Sequence, residues 1–394
     1  MSTTLDLDHA ATSPVRRSAL EAMWPALTGV YGNPSSAHEA GRAAAALLED
    51  ARARVARAIG ARAGQVVFTS GGTEADALAV LGTVRARILA GRPAGHVLTT
   101  GIEHSAVRQS CDQLARLHGV EVEHLALDRD GLTSADDLAA RLRPDTALVS
   151  VHLAHNEVGT VQPVAELAAV AREAGVPLHV DAVQAAGQIP VDVRALGADL
   201  VALSGHKVGG PKGVGALVLG SGVEEPIPVL RGGGQERGRR AGTENVLGIA
   251  GFGAAAGAAL AGLESDQARL GELRDRLEAG LRQVAEVTVF SCGVPRLPNT
   301  TLFTADRMKA ETAVIGFDLE GIAVSSGSAC SSGKVQPSYV LEAMGVGPAA
   351  AQGAVRLSLG WSTTEADVDR CLQAWRKLSL TLLKRSDETV LERF

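Results

Sequence analysis

Short, continuous apolar runs alternate with longer helical patterns along the first part of the chain. The runs that predict β-strands are 65–69, 96–100, 147–153, 177–181, 199–203 and 214–219. The stretches that predict helices between them are 43–59, 74–89, 105–117 and 163–174. Strands that are continuously apolar, instead of alternating, are typical of a sheet covered by helices on both faces. The pattern therefore predicts an α/β fold with a mostly parallel sheet.

The rest of the chain has a different pattern. A long helical stretch, 246–284, connects the predicted sheet to a smaller α+β region. The elements predicted there are strands at 287–290, 300–304, 322–324 and 354–359, and helices at 310–319 and 364–384. Residues 1–45 are rich in turn formers and are predicted to be irregular. Because 394 residues are too many for one simple core, we predict two domains. The large domain is 15–258, and the small domain combines 1–14 with 259–394.

The composition excludes several classes of function. The chain is 46% hydrophobic and 21% charged, as soluble globular proteins are, and its net charge of −6 argues against direct nucleic-acid binding. The N-terminus lacks the pattern of a secretory signal. We find no uninterrupted apolar run long enough to span a bilayer, so no membrane partner is predicted. The four cysteines show no metal-ligand spacing, which fits a cytoplasmic protein without a metal site.

A glycine-rich segment follows the first predicted strand. Residues 70–74, with the sequence SGGTE, run directly into a predicted helix. Glycines let backbone N–H groups approach an anion, and a helix N-terminus adds a favourable field. The segment is therefore a candidate phosphate cradle that includes Gly72 and Thr73, although an ordinary helix N-cap has the same pattern.

The tetrapeptide 204–207, with the sequence SGHK, stands where another buried strand meets a turn. Lysine is almost never fully buried unless it is paired. Lys207 is therefore either a solvated loop residue or a desolvated amine able to form a Schiff base.

Polar residues also follow the other predicted strands. Ligands of open α/β sheets bind beyond the carboxyl ends of the strands, so these residues are expected to share one edge. Each alone could be a solvated or capping residue, but together with Lys207 they suit pyridoxal phosphate (PLP). Lys207 would form the Schiff base, Asp181 would pair with the pyridinium nitrogen, and His104 would lie flat on the ring. The ring oxygen would be bound by Asn156 and Gln184, and the phosphate by Gly72, Thr73, Ser204 and His206.

The chain closely resembles a known family along nearly its whole length. The motifs that carry the resemblance are LDHAAT (7–12), GNPSS (32–36), TSGGTEAD (69–76), EH (103–104), NEVG (156–159), HVDAVQ (179–184), SGHK (204–207), GGGQER (232–237), AGT (241–243), SSGSAC (325–330), PSYVL (337–341) and VRLSLG (355–360). These resemble the cysteine desulfurases of the IscS/NifS type, which are PLP enzymes of fold type I in the class V aminotransferase superfamily.

The resemblance implies a reaction and its residues. L-cysteine would be converted to L-alanine, with Lys207 removing the Cα proton and His104 assisting proton transfers. Cys330 would attack the substrate sulfur and carry it as a persulfide, on a segment whose Ser, Gly and Ala content predicts mobility. Arg356 would bind the substrate carboxylate, with Asn33 or Asn156 nearby. Cys111, Cys292 and Cys371 are expected to be small hydrophobic residues.

The resemblance also implies partners. The protein would be a homodimer in which Thr243 completes the phosphate site of the partner subunit, with Arg237–Arg240 near the interface. The length of the loop 330–336 resembles that of the IscS/NifS group, which favours direct transfer of sulfur to a scaffold or carrier protein. Iron–sulfur clusters, tRNA thiolation, cofactor synthesis and DNA phosphorothioation are all possible destinations.

Other functions fit the same motifs. Another class V PLP enzyme, such as a selenocysteine lyase, a C–S lyase or an aminotransferase, would not need the loop thiol. A non-catalytic partner of sulfur-transfer machinery would have no need for an intact set of Lys207, His104, Asp181 and Cys330. Three positions depart from the family pattern, namely His155, Ala77 and Gln235. They leave the choice of acceptor and the polarity around the substrate open.

Overall fold

The structure is a computed structural model that describes residues 4–327 and 338–383. These residues belong to two compact units. The large unit comprises Thr12–His155 and Thr160–Ser265. The small unit comprises the residues up to Ala11, the short stretch Asn156–Gly159, and the residues from Asp266 onward. The domain boundaries given above from the sequence alone stay a prediction.

The secondary structure elements are numbered in chain order. The strands are β1 (Leu5–Asp6), β2 (Val66–Thr69), β3 (His96–Thr100), β4 (Glu121–Leu125), β5 (Thr146–His152), β6 (Leu178–Asp181), β7 (Leu200–Ser204), β8 (Gly215–Leu219), β9 (Val287–Val289), β10 (Thr300–Ala305), β11 (Ile322–Ala323), β12 (Ser325–Ser326) and β13 (Val355–Ser358). The helices are α1 (Arg17–Thr28), α2 (Glu39–Ala58), α3 (Gly72–Leu89), α4 (Ser105–His118), α5 (Ala135–Arg141), α6 (Val164–Glu173), α7 (Val193–Leu196), α8 (Val246–Val284), α9 (Ala310–Leu319), α10 (Tyr339–Ala343), α11 (Pro348–Gln352) and α12 (Glu365–Leu382).

A seven-stranded sheet forms the centre of the large unit, in the order β2-β8-β7-β6-β5-β3-β4. Neighbouring strands are parallel except where β8 pairs with β2 and β7. Apolar residues of α3 and α4 pack onto one face in a continuous core that includes Val67, Leu148 and Leu217. The α/β fold with a mostly parallel sheet is therefore confirmed.

The strand registers bring the chemically interesting ends together. His152 pairs with Asp181 between β5 and β6, and Asp181 pairs with Ala202 of β7. Thr69 and Ser204 both pair with Gly215 of β8, on opposite sides of that strand. The carboxyl ends of β2, β5, β6 and β7 thus lie at one edge of the sheet, which is where ligands bind in open α/β folds.

The small unit has its own core. β12, β13, β10 and β9 form an antiparallel sheet in that order, and β1 pairs in parallel with β11. The fully buried Trp375 of α12 packs edge-on against Phe303 at a ring-centroid distance of 5.3 Å. Its indole N–H donates to the carbonyl oxygen of Leu281 in α8 at 3.3 Å. Phe317 of α9 stacks on the same indole at 6.4 Å, so α8, α9 and α12 share one aromatic centre.

The expectation that residues 1–45 are irregular was wrong for residues 17–28 and 39–45. Residues Arg17–Thr28 form α1, and α2 begins at Glu39. The sequence of α1 gives little warning, because Pro25 lies inside the helix and no side chain caps its start. The helix is instead anchored by tertiary contacts: the backbone N–H of Arg16 donates to Gly209 and its Nε donates to the carbonyl oxygen of Val208. β4 and α5 were also not predicted.

One helix corrects the expectation about apolar runs. α8 is long and apolar enough to cross a membrane by length and composition alone, with a mean hydropathy of 1.9 over its most apolar 18-residue window. Within the protein 56% of that window is buried, and core helices of soluble proteins meet the same criterion. The sequence therefore contains an apolar run that is long enough to span a bilayer, contrary to the expectation. Because more than half of the run is buried in the protein, its length is only weak evidence for a membrane segment.

Candidate active site

Lys207 ends a 3₁₀ turn, Gly205–Lys207, that directly follows β7. The backbone of this turn is fixed by Ser13, whose Oγ donates to the Lys207 carbonyl oxygen at 3.2 Å and whose N–H donates to the His206 carbonyl oxygen at 2.9 Å. The carbonyl oxygen of Gly205 accepts the N–H groups of Val208 and Gly210. The half-buried lysine side chain thus starts from a rigid backbone at the carboxyl end of a central strand.

His206 is held beside Lys207 as a neutral ring. Its Nδ1 lies 3.2 Å from the Oγ1 of Thr12. Burial, together with the charges of Lys207 and Lys212, lowers the pKa of His206 to about 4. At neutral pH the ring is therefore an uncharged hydrogen-bonding group.

The N-terminus of α3 reaches the same sheet edge. A Cβ placed on Gly72 would lie 2.7 Å from Val183 Cγ2 and 3.5 Å from Ser204 Cβ, so a larger residue would push the helix away from the strand ends. Gly71 precedes the helix and supplies no side-chain cap. Thr73 is exposed in the first turn. An open helix start next to Ser204 is suited to binding an anion.

His104 occupies the N-cap position of α4. Its Nδ1 accepts the backbone N–H of Ala106 at 3.2 Å, which fixes the ring and leaves Nε2 to carry the proton. With Thr73 and Ala77, the imidazole lines an open cleft of about 750 Å³ between α3 and α4. Two of the predicted site residues are thereby brought to one cavity.

Asp181 ends β6 and is buried. Its Oδ1 accepts the N–H of Val183 at 2.9 Å. Burial raises the pKa of this carboxyl, while the electrostatic interaction with the His104 ring and the hydrogen bond from Val183 act in the opposite direction. Gln184 follows three residues later and is half-buried. A buried carboxylate in this position is best stabilised by a cationic partner.

Sequence reasoning missed a buried polar network behind Asp181. Glu103 Oε1 accepts hydrogen bonds from Thr100 Oγ1 at 2.7 Å and from the backbone N–H of His152 at 3.2 Å, and lies 2.8 Å from His152 Nδ1. Burial opposes ionisation of Glu103, but His152 and these hydrogen bonds lower its pKa below the usual value. Asp76 of α3 lies 3.4 Å from His179, and burial with the charges of Asp181 and Glu103 raises its pKa well above normal. The available signals were the EH motif (103–104) and Asp76 at the end of the TSGGTEAD motif (69–76).

The departure at His155 has a local explanation. The ring is buried, and its Nε2 donates to the carbonyl oxygen of Ile102 at 3.0 Å. The backbone N–H of His155 donates to Thr160. This histidine therefore ties the loop after β5 to the loop after β3.

In the small unit, Arg356 lies on β13 between two neighbouring strands and is only 2% exposed. Its Nη2 pairs with Asp8 Oδ1 at 2.7 Å, and its Nη1 donates to the carbonyl oxygen of Asn156 at 2.8 Å. Arg356 is therefore buried in the interior of a sheet, and its ion pair is not a surface pair at a sheet edge. Asp8 and Asn156 are 348 and 200 residues away in sequence, so this cluster could not be derived from spacing.

Glu157 stands next to this cluster. It is buried, and its Oε2 accepts the hydroxyl of Ser338 at 2.7 Å. Burial raises the pKa of Glu157 to about 7, although Ser338 and Arg356 act to lower it.

Replacing Glu157 with glutamine is expected to remove a pH dependence of stability. An unfolded glutamate titrates near pH 4.3, so its contribution to stability is fully present below that pH and is lost as the pH rises through about 7. Between pH 5 and pH 8 the wild-type protein should lose up to about 3 kcal/mol more unfolding free energy than Glu157→Gln. Urea unfolding followed by tryptophan fluorescence measures this difference. Glu342→Gln, an exposed carboxylate on α10, is the control, and equal pH slopes in the wild type and Glu157→Gln would contradict the assignment.

Two other predicted residues, Asn33 and Thr243, are exposed in the large unit. The side chain of Asn33 accepts the N–H of Ser35 at 2.9 Å. Thr243 follows Gly242, whose N–H donates to Gln235 Oε1 at 3.1 Å. The glutamine that departs from the family pattern therefore closes the segment that carries Thr243.

The cysteines separate into distinct environments. Cys111 and Cys371 are buried, and burial raises the pKa of each thiol to about 12. Both therefore stay protonated and unreactive at neutral pH. Cys292 lies in a turn and is exposed, so the expectation that it is a small buried hydrophobic residue was wrong. Cys330 and its loop lie outside the described residues.

A mostly parallel sheet with a lysine, a buried aspartate and an open helix N-terminus at one edge defines the large unit as a PLP-binding domain of fold type I. The profile of the Aminotransferase class-V family matches residues 6–371, and the chain belongs to this family.

Individual relatives agree. A cysteine desulfurase IscS of Dictyoglomus turgidum is 42% identical over 373 residues, covering 94% of this chain and 93% of that protein. A cysteine desulfurase of Cereibacter sphaeroides is 47% identical over 369 residues, covering 93% of each. A solved structure described as a NifS-like protein has a TM-score of 0.88 at 34% identity and covers 95% of this chain and 99% of that one. The resemblance to the IscS/NifS type is confirmed.

The residues present fit the PLP that this family uses. The buried carboxylate of Asp181 would gain a cationic partner in the ring nitrogen. The open start of α3, close to Ser204, would receive the phosphate. The cleft of about 750 Å³ is lined by Thr73 and His104 but not by Lys207 or Asp181, so its volume is not a measure of the cofactor site. Thr73, His104, Asp181, Ser204, His206 and Lys207 all belong to the large unit.

Proposed function

We propose that this protein is a PLP-dependent cysteine desulfurase that converts L-cysteine to L-alanine and keeps the sulfur as a persulfide on Cys330. The observation that carries the proposal is the position of Lys207 beside an open helix N-terminus and near a buried aspartate at one sheet edge. The relatives at 42% and 47% identity are cysteine desulfurases.

All the residues assigned to the cofactor belong to the large unit except Asn156, which belongs to the small unit. Lys207 would bind the cofactor covalently, Asp181 would pair with the ring nitrogen, and His104 would pack against the ring. The ring oxygen would be bound by Asn156 and Gln184, and the phosphate by Gly72, Thr73, Ser204 and His206. The neutral state of His206 suits this last role, because it can donate one hydrogen bond without adding charge.

Bound PLP supplies an electron sink for the Cα–H bond of an amino acid. The amine of Lys207 accepts the Cα proton, and the anchored turn beneath it keeps the amine within reach. The Cys330 thiolate attacks the sulfur of the substrate, forming an S–S bond as the C–S bond breaks. The electron pair and a proton go to the substrate Cβ, so cysteine plus the enzyme thiol becomes alanine plus the persulfide.

Substrate binding is assigned to Arg356, with Asn33 or Asn156. The guanidinium of Arg356 is buried and oriented by Asp8, and its Nε has no hydrogen-bond partner within the described residues. A buried donor of this kind is costly unless a ligand completes it. A substrate carboxylate would do so.

We propose further that the protein is a cytoplasmic homodimer in which Thr243 completes the phosphate site of the partner subunit. α1 displays an apolar surface that supports dimer formation. Its members, with their exposed fractions, are Leu20 (54%), Trp24 (63%) and Leu27 (65%), followed by Tyr31 (88%). Apolar residues at this helical spacing on one exposed face are typical of an interaction surface.

Replacing Trp24 with glutamate is expected to convert the dimer into monomers. A buried interface tryptophan commonly contributes 2 kcal/mol or more, so dimer affinity should fall by about thirtyfold or more. Light scattering coupled to size-exclusion chromatography at several protein concentrations measures this. Leu89→Glu, an exposed apolar residue at the end of α3, is the control that should stay dimeric. A Trp24→Glu protein that remains a dimer at the lowest concentration would exclude this surface.

The sulfur is proposed to pass from Cys330 to a scaffold or carrier protein that serves iron–sulfur cluster assembly or thiolation. Mass spectrometry of a complex trapped through the Cys330 persulfide would identify that acceptor.

Product analysis tests the proposed reaction. Purified protein loaded with PLP is incubated with L-cysteine and a thiol reductant, and alanine and sulfide are quantified. Equal amounts of both are expected. Pyruvate in place of alanine would indicate a C–S lyase, and a requirement for a 2-oxo acid would indicate an aminotransferase. L-selenocysteine in a parallel reaction distinguishes a selenocysteine lyase, which would leave L-cysteine unconverted.

A further inference from the structure

Two successive residues in the segment before Thr243 have an unusual backbone. Glu236 and Arg237 lie in the 3₁₀ turn Gln235–Gly238, with φ angles of 47° and 59°. Residues other than glycine rarely adopt this left-handed conformation, and it persists only where the surroundings hold it in place. Residues 235–243 are called the arm below.

A buried ion pair supplies that hold. The carboxylate of Glu236 is 7% exposed and meets the guanidinium of Arg52 with two parallel hydrogen bonds, Nη1 to Oε2 at 2.7 Å and Nη2 to Oε1 at 2.8 Å. Oε2 also accepts the backbone N–H of Phe68 at 3.0 Å. Bidentate pairs of this type fix geometry as well as charge. The conformation of the arm is therefore set by the position of Arg52.

The pair is attached to the rigid framework of the large unit. Arg52 belongs to α2, and Phe68 belongs to β2, which is the edge strand of the seven-stranded sheet. Arg52 Nη1 donates to the carbonyl oxygen of Val66 at 2.9 Å, and its guanidinium lies 4.8 Å from the centre of the Phe68 ring. The ion pair thus satisfies backbone groups at the open edge of β2. A site supported by helices and strands is more precisely placed than one supported by loops.

The other end of the arm is tied to the start of α3. Arg240 Nε pairs with Glu74 Oε1 at 2.9 Å, and Glu74 Oε2 accepts the N–H of Ser70 at 2.7 Å. Gln235 closes the arm on itself through Gly242. The arm is therefore fixed at three points, and the exposed Thr243 follows directly after the last of them.

We propose that Arg52 and Glu236 are positioning residues for cofactor binding: their buried ion pair holds the arm so that Thr243 can complete a phosphate site. This inference rests on the proposed function, because it takes the role of Thr243 from there. It adds two residues that touch neither cofactor nor substrate and are distant from Lys207 in sequence. If the ion pair only stabilised the fold, its loss would lower the stability of the protein. It would not change the affinity for a ligand with a phosphate more than the affinity for a ligand without one.

The comparison of PLP with pyridoxal, which lacks the phosphate, separates the two roles. The dissociation constants of both ligands are measured by absorbance with dimers from which PLP has been removed, for the wild type and for Glu236→Gln. Glutamine keeps the shape of the side chain and one acceptor oxygen, but it loses the charge. We expect Glu236→Gln to weaken PLP binding by about tenfold, the loss expected for a misplaced phosphate hydrogen bond. Pyridoxal binding should change by less than about threefold, because the misplaced donor does not contact it.

Two further variants sharpen the result. Thr243→Ala should reproduce the selective loss of PLP affinity, and the double variant with Glu236→Gln should lose no more than either alone, since both changes act on one contact. Glu49→Gln is the matched control, because the exposed Glu49 pairs with Arg52 Nε at 3.0 Å and has no hydrogen bond to the arm within the described residues. It should leave the affinity for both ligands unchanged.

The inference is overturned if Glu236→Gln weakens PLP and pyridoxal equally, or if its effect adds fully to that of Thr243→Ala. Should Glu236→Gln fail to fold, Arg52→Lys replaces it, because lysine keeps the charge but cannot form the bidentate pair. An unchanged PLP-to-pyridoxal ratio in that variant overturns the inference, and a selective loss of PLP supports it. Failure of the proposed function is recognised separately, because the wild-type protein would then bind no PLP or form no alanine from L-cysteine.

Discussion

Replacing Lys207 with alanine is expected to abolish the visible absorption of the lysine-bound cofactor and to lower alanine formation from L-cysteine by about 10² to 10⁴-fold, the range for a lost general acid–base group. The physical reason is the position of the amine. It extends from a turn that Ser13 fixes through two hydrogen bonds, at the end of a fully buried strand. Absorbance spectra and a coupled alanine assay at saturating PLP measure the two effects.

The control for this variant comes from the same region of the chain. Lys212 lies five residues further on and is exposed. Lys212→Ala should keep the spectrum and retain turnover within about threefold, as surface substitutions usually do. A Lys207→Ala protein that retains turnover within about tenfold of the wild type would contradict the assignment of the catalytic base.

Much of the large unit could be predicted from the sequence because its signals are local. Continuous apolar runs marked the central strands, and the rule that ligands bind at their carboxyl ends placed Asp181 and Lys207 at one edge. The structure has β3 at His96–Thr100 and α8 at Val246–Val284, as the pattern predicts. The edge strand β4 was missed because its mostly polar residues, four of which are at least partly exposed, carry no comparable signal.

What could not be predicted depends on contacts between distant positions. Ser13 fixes the turn of Lys207 from 194 residues away, and Arg52 meets Glu236 across 184 residues. Neither interaction leaves a spacing that a single sequence can show, since the fold alone brings the partners together. The same holds for α1, whose start is held by the backbone around Val208 and not by its own capping residues.

The role of Cys330 rests on the family motif and on the exclusion of other thiols. The pKa values of Cys111 and Cys371 are raised to about 12 by burial, so neither forms a thiolate at neutral pH. Cys292 is exposed and lies in a turn of the small unit. It is therefore the thiol against which Cys330 has to be compared.

Replacing Cys330 with serine is expected to remove sulfide and alanine formation while leaving the PLP spectrum unchanged. Serine keeps the size of the side chain, but an alcohol is not ionised at neutral pH and cannot accept sulfur as a persulfide. Turnover should fall by more than about 10³-fold, because the proposed covalent step would lose its nucleophile. Mass spectrometry should find one added sulfur atom, about 32 daltons, in the wild type and none in Cys330→Ser.

Cys292→Ser is the matched control and should keep both turnover and persulfide. If Cys292→Ser lost activity while Cys330→Ser kept it, the exposed thiol of the small unit would be the nucleophile, and the assignment taken from the family motif would be wrong.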